Sequence, residues 1–168
     1  AGTGGKAKGN LMNCGEDRHN RKITASVNGL NAQPGLNNNY TGGWSTAQKA
    51  LQFTGRAAGV NTITIDFSAQ PGGTISDVGF ALWDVDNVEY ADFTANKSGV
   101  GAIAPTNIAT SAYNYVSASS ATSATVSGTG TDSTSTTSQG NTYVYFNTTG
   151  ISSVSFTYHG TANVTLVV

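Results

Sequence analysis

The densest group of potential metal ligands in this chain is the run Asp84-Val85-Asp86-Asn87-Val88-Glu89-Tyr90-Ala91-Asp92. With Asp77 it gathers five of the nine carboxylates into sixteen residues. A hard cation such as calcium takes about six to eight oxygens, and an Asp-x-Asp step with Asn and Glu close behind offers several from one turn. Calcium held by Asp84, Asp86, Glu89 and Asp92 is one expectation. The other is a solvent-facing turn between strands, whose acids keep a sheet edge soluble. The run has neither the spacing nor the glycine of an EF-hand loop.

A second reactive group is Cys14-Gly15-Glu16-Asp17-Arg18-His19-Asn20-Arg21-Lys22. One Cys and one His do not complete a four-ligand zinc site. A nucleophilic Cys14–His19 pair would sit beside a glycine-rich arm, whereas nucleophile and base must be held rigidly. A charged linker is the plainer expectation. As the single cysteine, Cys14 forms no internal disulfide, and an odd thiol in an exported protein points to pairing with another subunit.

The other histidine, His159, follows Tyr158. Adjacent strand residues point to opposite faces, so Tyr158 is expected inside and His159 in water. No Gly-x-Ser-x-Gly elbow, P-loop or dinucleotide-binding glycine set occurs. Two histidines and sparse carboxylates leave little material for acid–base chemistry, so no catalytic residue is assigned and no enzyme is expected. Aromatic faces are the usual handle for sugars. Trp44, Tyr113 and Tyr115 are the foremost candidates, with Tyr40, Trp83, Tyr90 and Tyr143 behind them; core packing is the plainer role for each. Tyr113 and Tyr115 share a face if their segment is a strand.

The elements that must position these residues read as strands. Ile23 to Val27 leads into Asn28-Gly29, a two-residue hairpin signal. Ile63, Ile65 and Phe67 alternate with polar residues, as do Val78, Phe80 and Leu82, then Val154, Phe156 and Tyr158, and finally Val164, Leu166 and Val168. A run from Tyr143 to Phe146 adds another. The one helical candidate is a short turn from Ser45 to Leu51. Residues 117–140 are low-complexity, with an edge strand at Thr122 to Val126 and loop elsewhere. The expected fold is all-β: an antiparallel sandwich or jelly roll of about eight to ten strands. A glycine-rich arm and charged linker occupy residues 1–22, and the sandwich residues 23–168. The arm docks on its own domain or on a neighbouring subunit.

Composition narrows the partners. Of 168 residues 10% are charged and the net charge is −1, against about 25% charged in an average soluble protein. Eight Lys and Arg are too few for a stripe that tracks phosphates, so no nucleic acid is expected. No apolar run approaches the roughly 18 residues of a membrane helix, so no membrane insertion is expected either. The small-residue opening Ala1-Gly2-Thr3-Gly4-Gly5 fits the mature end left by signal cleavage.

The stretch Ile75-Ser76-Asp77-Val78-Gly79-Phe80-Ala81-Leu82-Trp83-Asp84-Val85-Asp86 resembles exported bacterial surface domains of β-sandwich type, whose strands end in Phe-x-Leu-x-Asp-Ile/Val-Asp. The Ser/Thr/Gly-rich stretch followed by Tyr143–Phe146 and Ile151–Tyr158 is similar to their closing strands. The resemblance spans about residues 60–160 and implies export and a surface, matrix or adhesive role. Two functions are therefore expected to compete. One is an extracellular structural subunit that assembles with copies of itself, through the arm with Cys14 or the terminal strand with Val164, Leu166 and Val168. The other is an adhesive module that binds polysaccharide and carries structural calcium.

Overall fold

The computed structural model describes residues 62–83, 85–132 and 138–160 in full, and the backbone alone for strand residues 8–16, 22–28, 35–37, 50–54, 60–61 and 163–167. The first strands in chain order are β1 (Lys8–Glu16), β2 (Lys22–Asn28), β3 (Gly35–Asn37), β4 (Ala50–Thr54) and β5 (Val60–Asp66). After a 3-10 turn at Pro71–Gly73 come β6 (Val78–Trp83), β7 (Tyr90–Lys97), β8 (Gly101–Ile103), β9 (Asn107–Ala109) and β10 (Asn114–Ser119). The chain continues through β11 (Ala124–Gly128), β12 (Thr142–Phe146), β13 (Ile151–His159) and β14 (Asn163–Val167).

These strands form two antiparallel sheets. The first, sheet A, runs β1-β2-β5-β13-β7-β11-β10, with β8 paired to the far end of β7. The second, sheet B, runs β3-β4-β14-β6-β12-β9. The expected all-β sandwich is present, open and not closed into a barrel. It has more strands than the alternation suggested, because three-residue pieces such as β3, β8 and β9 are too short to show a period.

Period-two alternation builds the core. Ile63, Ile65 and Phe67 of sheet A are buried, as are Ala91, Phe93, Val126, Val154, Phe156 and Tyr158. They meet Val78, Phe80, Leu82, Val144 and Phe146 of sheet B in one continuous cluster. Phe80 is the central contact, its ring 6.0 Å from Phe93 and 6.2 Å from Phe156 across the sheets, and 6.5 Å from Phe146 beside it. Aromatic pairs at such separations add to the burial of apolar area. A smaller apolar group, Ala81 and Trp83 with Tyr143 against them, lies on the outer side of sheet B. Strand β6 is thus buried on both faces.

Three local expectations need correction. Asn28-Gly29 does not close a hairpin: β2 pairs with β1 and β5, while the next strand, β3, belongs to sheet B. The helical turn at Ser45–Leu51 is not found at its C-terminal end, where Ala50 and Leu51 open β4; residues 45–49 lie outside the described residues. Nor is Thr122–Val126 an edge. Its strand, β11, sits between β7 and β10, and the first part of the low-complexity run, through Gly128, belongs to the β10–β11 hairpin. Threonine is a good strand residue, and serine joins a strand where a hairpin partner satisfies its backbone.

Candidate functional site

The acidic turn is not a solvent-facing one. Asp86 and Glu89 are 2% and 5% exposed, while Val88 at the tip is 82% exposed. Asn87 adopts a left-handed φ of 50°, a conformation asparagine tolerates better than most residues. The turn is stitched to the segment after β11. Gly128 and Gly130 N–H donate to the carbonyls of Glu89 and Asn87, both at 2.8 Å, and Asn87 N–H donates to Thr131 O at 3.0 Å.

A buried amide locks the same end of the sandwich. Asn114 Nδ2 donates to Val85 O at 2.9 Å and Asn141 O at 3.1 Å, and its Oδ1 accepts from Ser111 N–H at 2.9 Å. Ser111 Oγ lies within hydrogen-bond reach of both Gln139 O and Asn141 O, which share its one O–H. Backbone groups that would otherwise be stranded in this loop cluster are satisfied. Asn114 carries no local signal, because its role depends on loops brought together from 85, 111 and 141.

The three described candidates for calcium ligation fall in two places. Asp84 lies outside the described residues. Asp86 and Glu89 belong to the buried turn, whereas Asp92 stands on the outer face of β7. Among the described residues, no three His, Cys, Asp or Glu side chains converge on a point that could hold a metal ion.

That outer face of sheet A carries the more suggestive arrangement. Its cross-strand neighbours are hydroxyls in contact: Thr62 with Thr157 at 3.0 Å, and Thr64 with Ser155 at 2.7 Å. Towards β7 the pattern changes. Thr125 Oγ1 donates to Asp92 Oδ1 at 2.5 Å, and His159 Nε2–H donates to Asp92 Oδ2 at 3.1 Å. Tyr90 lies against the imidazole with ring centroids 4.1 Å apart and planes 8° from parallel. Tyr90 and His159 are directly opposed in the β7–β13 ladder, which is why the rings meet. The imidazole faces solvent and Tyr158 is fully buried, as alternation requires.

The other candidates scatter. Tyr115 is on β10 and half exposed, but Tyr113 precedes the strand in a turn, tied to Gln139 O and Thr129 N–H. The two tyrosines therefore do not form a strand face. Trp83 is fully buried, and Trp44, Tyr40 and His19 lie outside the described residues. Cys14 falls within β1, which pairs with β2 of its own chain. Val164 and Leu166 fall within β14, held between β4 and β6, while Val168 lies outside the described residues. The pairing of Tyr90 with His159 was not legible in the sequence. Its only local signal is the i, i+2 placement of Tyr90 and Asp92 on one strand face.

Together these features define an open all-β sandwich with a hydroxyl-rich outer face and, among the described residues, one aromatic–imidazole–carboxylate cluster on it. The chain matches no protein-family model, no curated protein and no solved structure.

Proposed function

We propose that the protein is an extracellular, non-catalytic structural subunit that assembles with copies of itself into a fibre, sheath or matrix through the edges of sheet A. The observation that carries this reading is a difference between the two sheets. Sheet B ends in β3 and β9, of three residues each, and very short edges are a common protection against pairing. Sheet A ends in β1, of nine residues, and β10, of six. Strand β10 reads Asn-Tyr-Val-Ser-Ala-Ser, without charge or proline, and β1 is uncharged between Lys8 and Glu16. Neither carries proline, and the charges of β1 stand only at its two ends.

Pairing β10 of one copy with β1 of the next is a head-to-tail contact, and such contacts give open filaments when the rotation does not close. Both edges carry register shifts, in β10 between Val116 and Ala118 and in β1 on either side of Leu11–Asn13. Bulges interrupt the run an added strand can follow, so the contact is confined to the regular stretches beside them. Donation of the C-terminal strand is the costlier route, since β14 would have to leave both β4 and β6. The low net charge favours the same reading, as it gives little self-repulsion.

Val116 is 43% exposed on the edge strand. Val116→Lys places a cation where a partner strand would lie and is expected to abolish sedimenting polymer at concentrations where the parent chain forms it. Thermal stability should change by no more than about 0.5 kcal/mol, as for an exposed substitution. Polymer formation by Val116→Lys at the parent level would rule out β10 as the contact.

A further inference from the structure

One cross-strand row crosses the outer face of sheet A at the β10 side. Tyr115 pairs with Ser127, Ser127 with Tyr90, and Tyr90 with His159. Directly opposed residues of antiparallel strands share a face, so both tyrosines stand on the solvent side. They are two strand spacings apart, roughly 9–10 Å, with the small Ser127 between them. Tyr115 is 50% and Tyr90 39% exposed.

We infer that Tyr115 and Tyr90 wall a trough that binds an uncharged hexopyranose chain, with Asp92 and the hydroxyls of Ser127, Ser117 and Thr125 as its polar floor. Three observations support the assignment. The spacing suits a sugar ring held between two aromatic faces: van der Waals contact takes about 3.5–4 Å on each side, so the ring fills roughly 7–8 Å. The floor offers hydrogen-bonding groups of both senses. Ser117 Oγ and Ser127 Oγ are paired at 2.7 Å, and Asp92, whose side chain is 42% exposed, keeps acceptor capacity beyond its bonds to Thr125 and His159. Finally, one wall is already held in place, because His159 is fixed by Asp92 and stacks on the back of Tyr90. Ordering a wall in advance reduces the cost of binding.

The described side chains favour an uncharged ligand. Lys97 is the one lysine or arginine whose side chain is described, and its Nζ donates to Thr148 Oγ1 at the opposite end of β7. A phosphate or polyuronate would meet the Asp92 carboxylate, with only the His159 imidazole, already bonded to it, close by. A neutral polyol meets alternating donors and acceptors. Among the aromatics named in the sequence, the trough uses Tyr115 and Tyr90 and leaves out Tyr113.

The test is calorimetric titration of the full chain with hexaoses of glucose, mannose, galactose and N-acetylglucosamine, and with hexagalacturonate as the anionic comparison. At least one neutral hexaose should bind. Tyr90→Ala and Tyr115→Ala should each weaken that binding about tenfold or more, and Asp92→Asn should weaken it as well. Tyr145→Ala, which removes a similarly exposed tyrosine from sheet B, should leave it unchanged. Failure of every neutral hexaose to bind, a preference for hexagalacturonate, or parental affinity in both Tyr90→Ala and Tyr115→Ala would overturn the inference.

Discussion

Gly128→Ala is expected to destabilise the protein by about 3 kcal/mol or more, a loss at the upper end of what overpacking costs. The reason is proximity and not backbone conformation. A Cβ at Gly128 would lie 2.3 Å from the carbonyl carbon of Asp86 and 2.5 Å from the carbonyl oxygens of Asp86 and Asn87. Those are backbone atoms, with no flexible side chain to move aside. Either β11 or the acidic turn must retreat, and the bonds from Gly128 to Glu89 and from Gly130 to Asn87 stretch with it. Gly99 gives the comparison. Its φ is +73° but nothing lies within 4 Å of its Cβ position, so Gly99→Ala should cost only about 1–2 kcal/mol for the left-handed conformation. Urea unfolding of the two variants separates the causes. A Gly128→Ala loss no greater than that of Gly99→Ala would contradict the docking of the turn.

Phe80→Ala is expected to remove about 3–5 kcal/mol, the range for an aromatic deleted from a packed core. In a chain of this size that lowers Tm by roughly 6–20 °C. Phe80 is 4% exposed and touches the rings of Phe93 and Phe156 across the interlayer space, so the cavity opens between the sheets where neither can collapse far. Val88→Ala, at the exposed tip of the acidic turn, should stay within about 0.5 kcal/mol. Differential scanning calorimetry of the pair is the check, and equal Tm values would mean that Phe80 is not at the centre of the sandwich.

The two proposals reinforce each other physically. Assembly along the edges of sheet A would present the sugar trough once per subunit on a common face. Linked sites convert later contacts into intramolecular ones, so weak individual binding can give firm attachment.

The core was legible because burial on one face writes itself into alternation. Ile63, Ile65 and Phe67, Val78, Phe80 and Leu82, and Val154, Phe156 and Tyr158 all point inward as their spacing requires. What alternation cannot encode is which strands become neighbours. Asn28-Gly29 has the chemistry of a tight hairpin, yet the chain crosses to the other sheet after it. Ala50 and Leu51 carry ordinary helix formers into β4, where pairing with β14 and β3 overrides propensity. Asp86, Glu89 and Asp92 look like one ligand set in the sequence. The strand start at Tyr90 separates them, leaving two in a buried turn and sending the third to the outer face. The row from Tyr115 to His159 joins residues forty-four positions apart through three ladders, and only the registers reveal it.

Assembly through sheet A is tested most directly by analytical ultracentrifugation of the parent chain over rising concentration, with negative-stain microscopy of the same samples. Open-ended growth into filaments of unlimited length is the expected result. A single monomeric species at every concentration, or a dimer that stops growing, would contradict it.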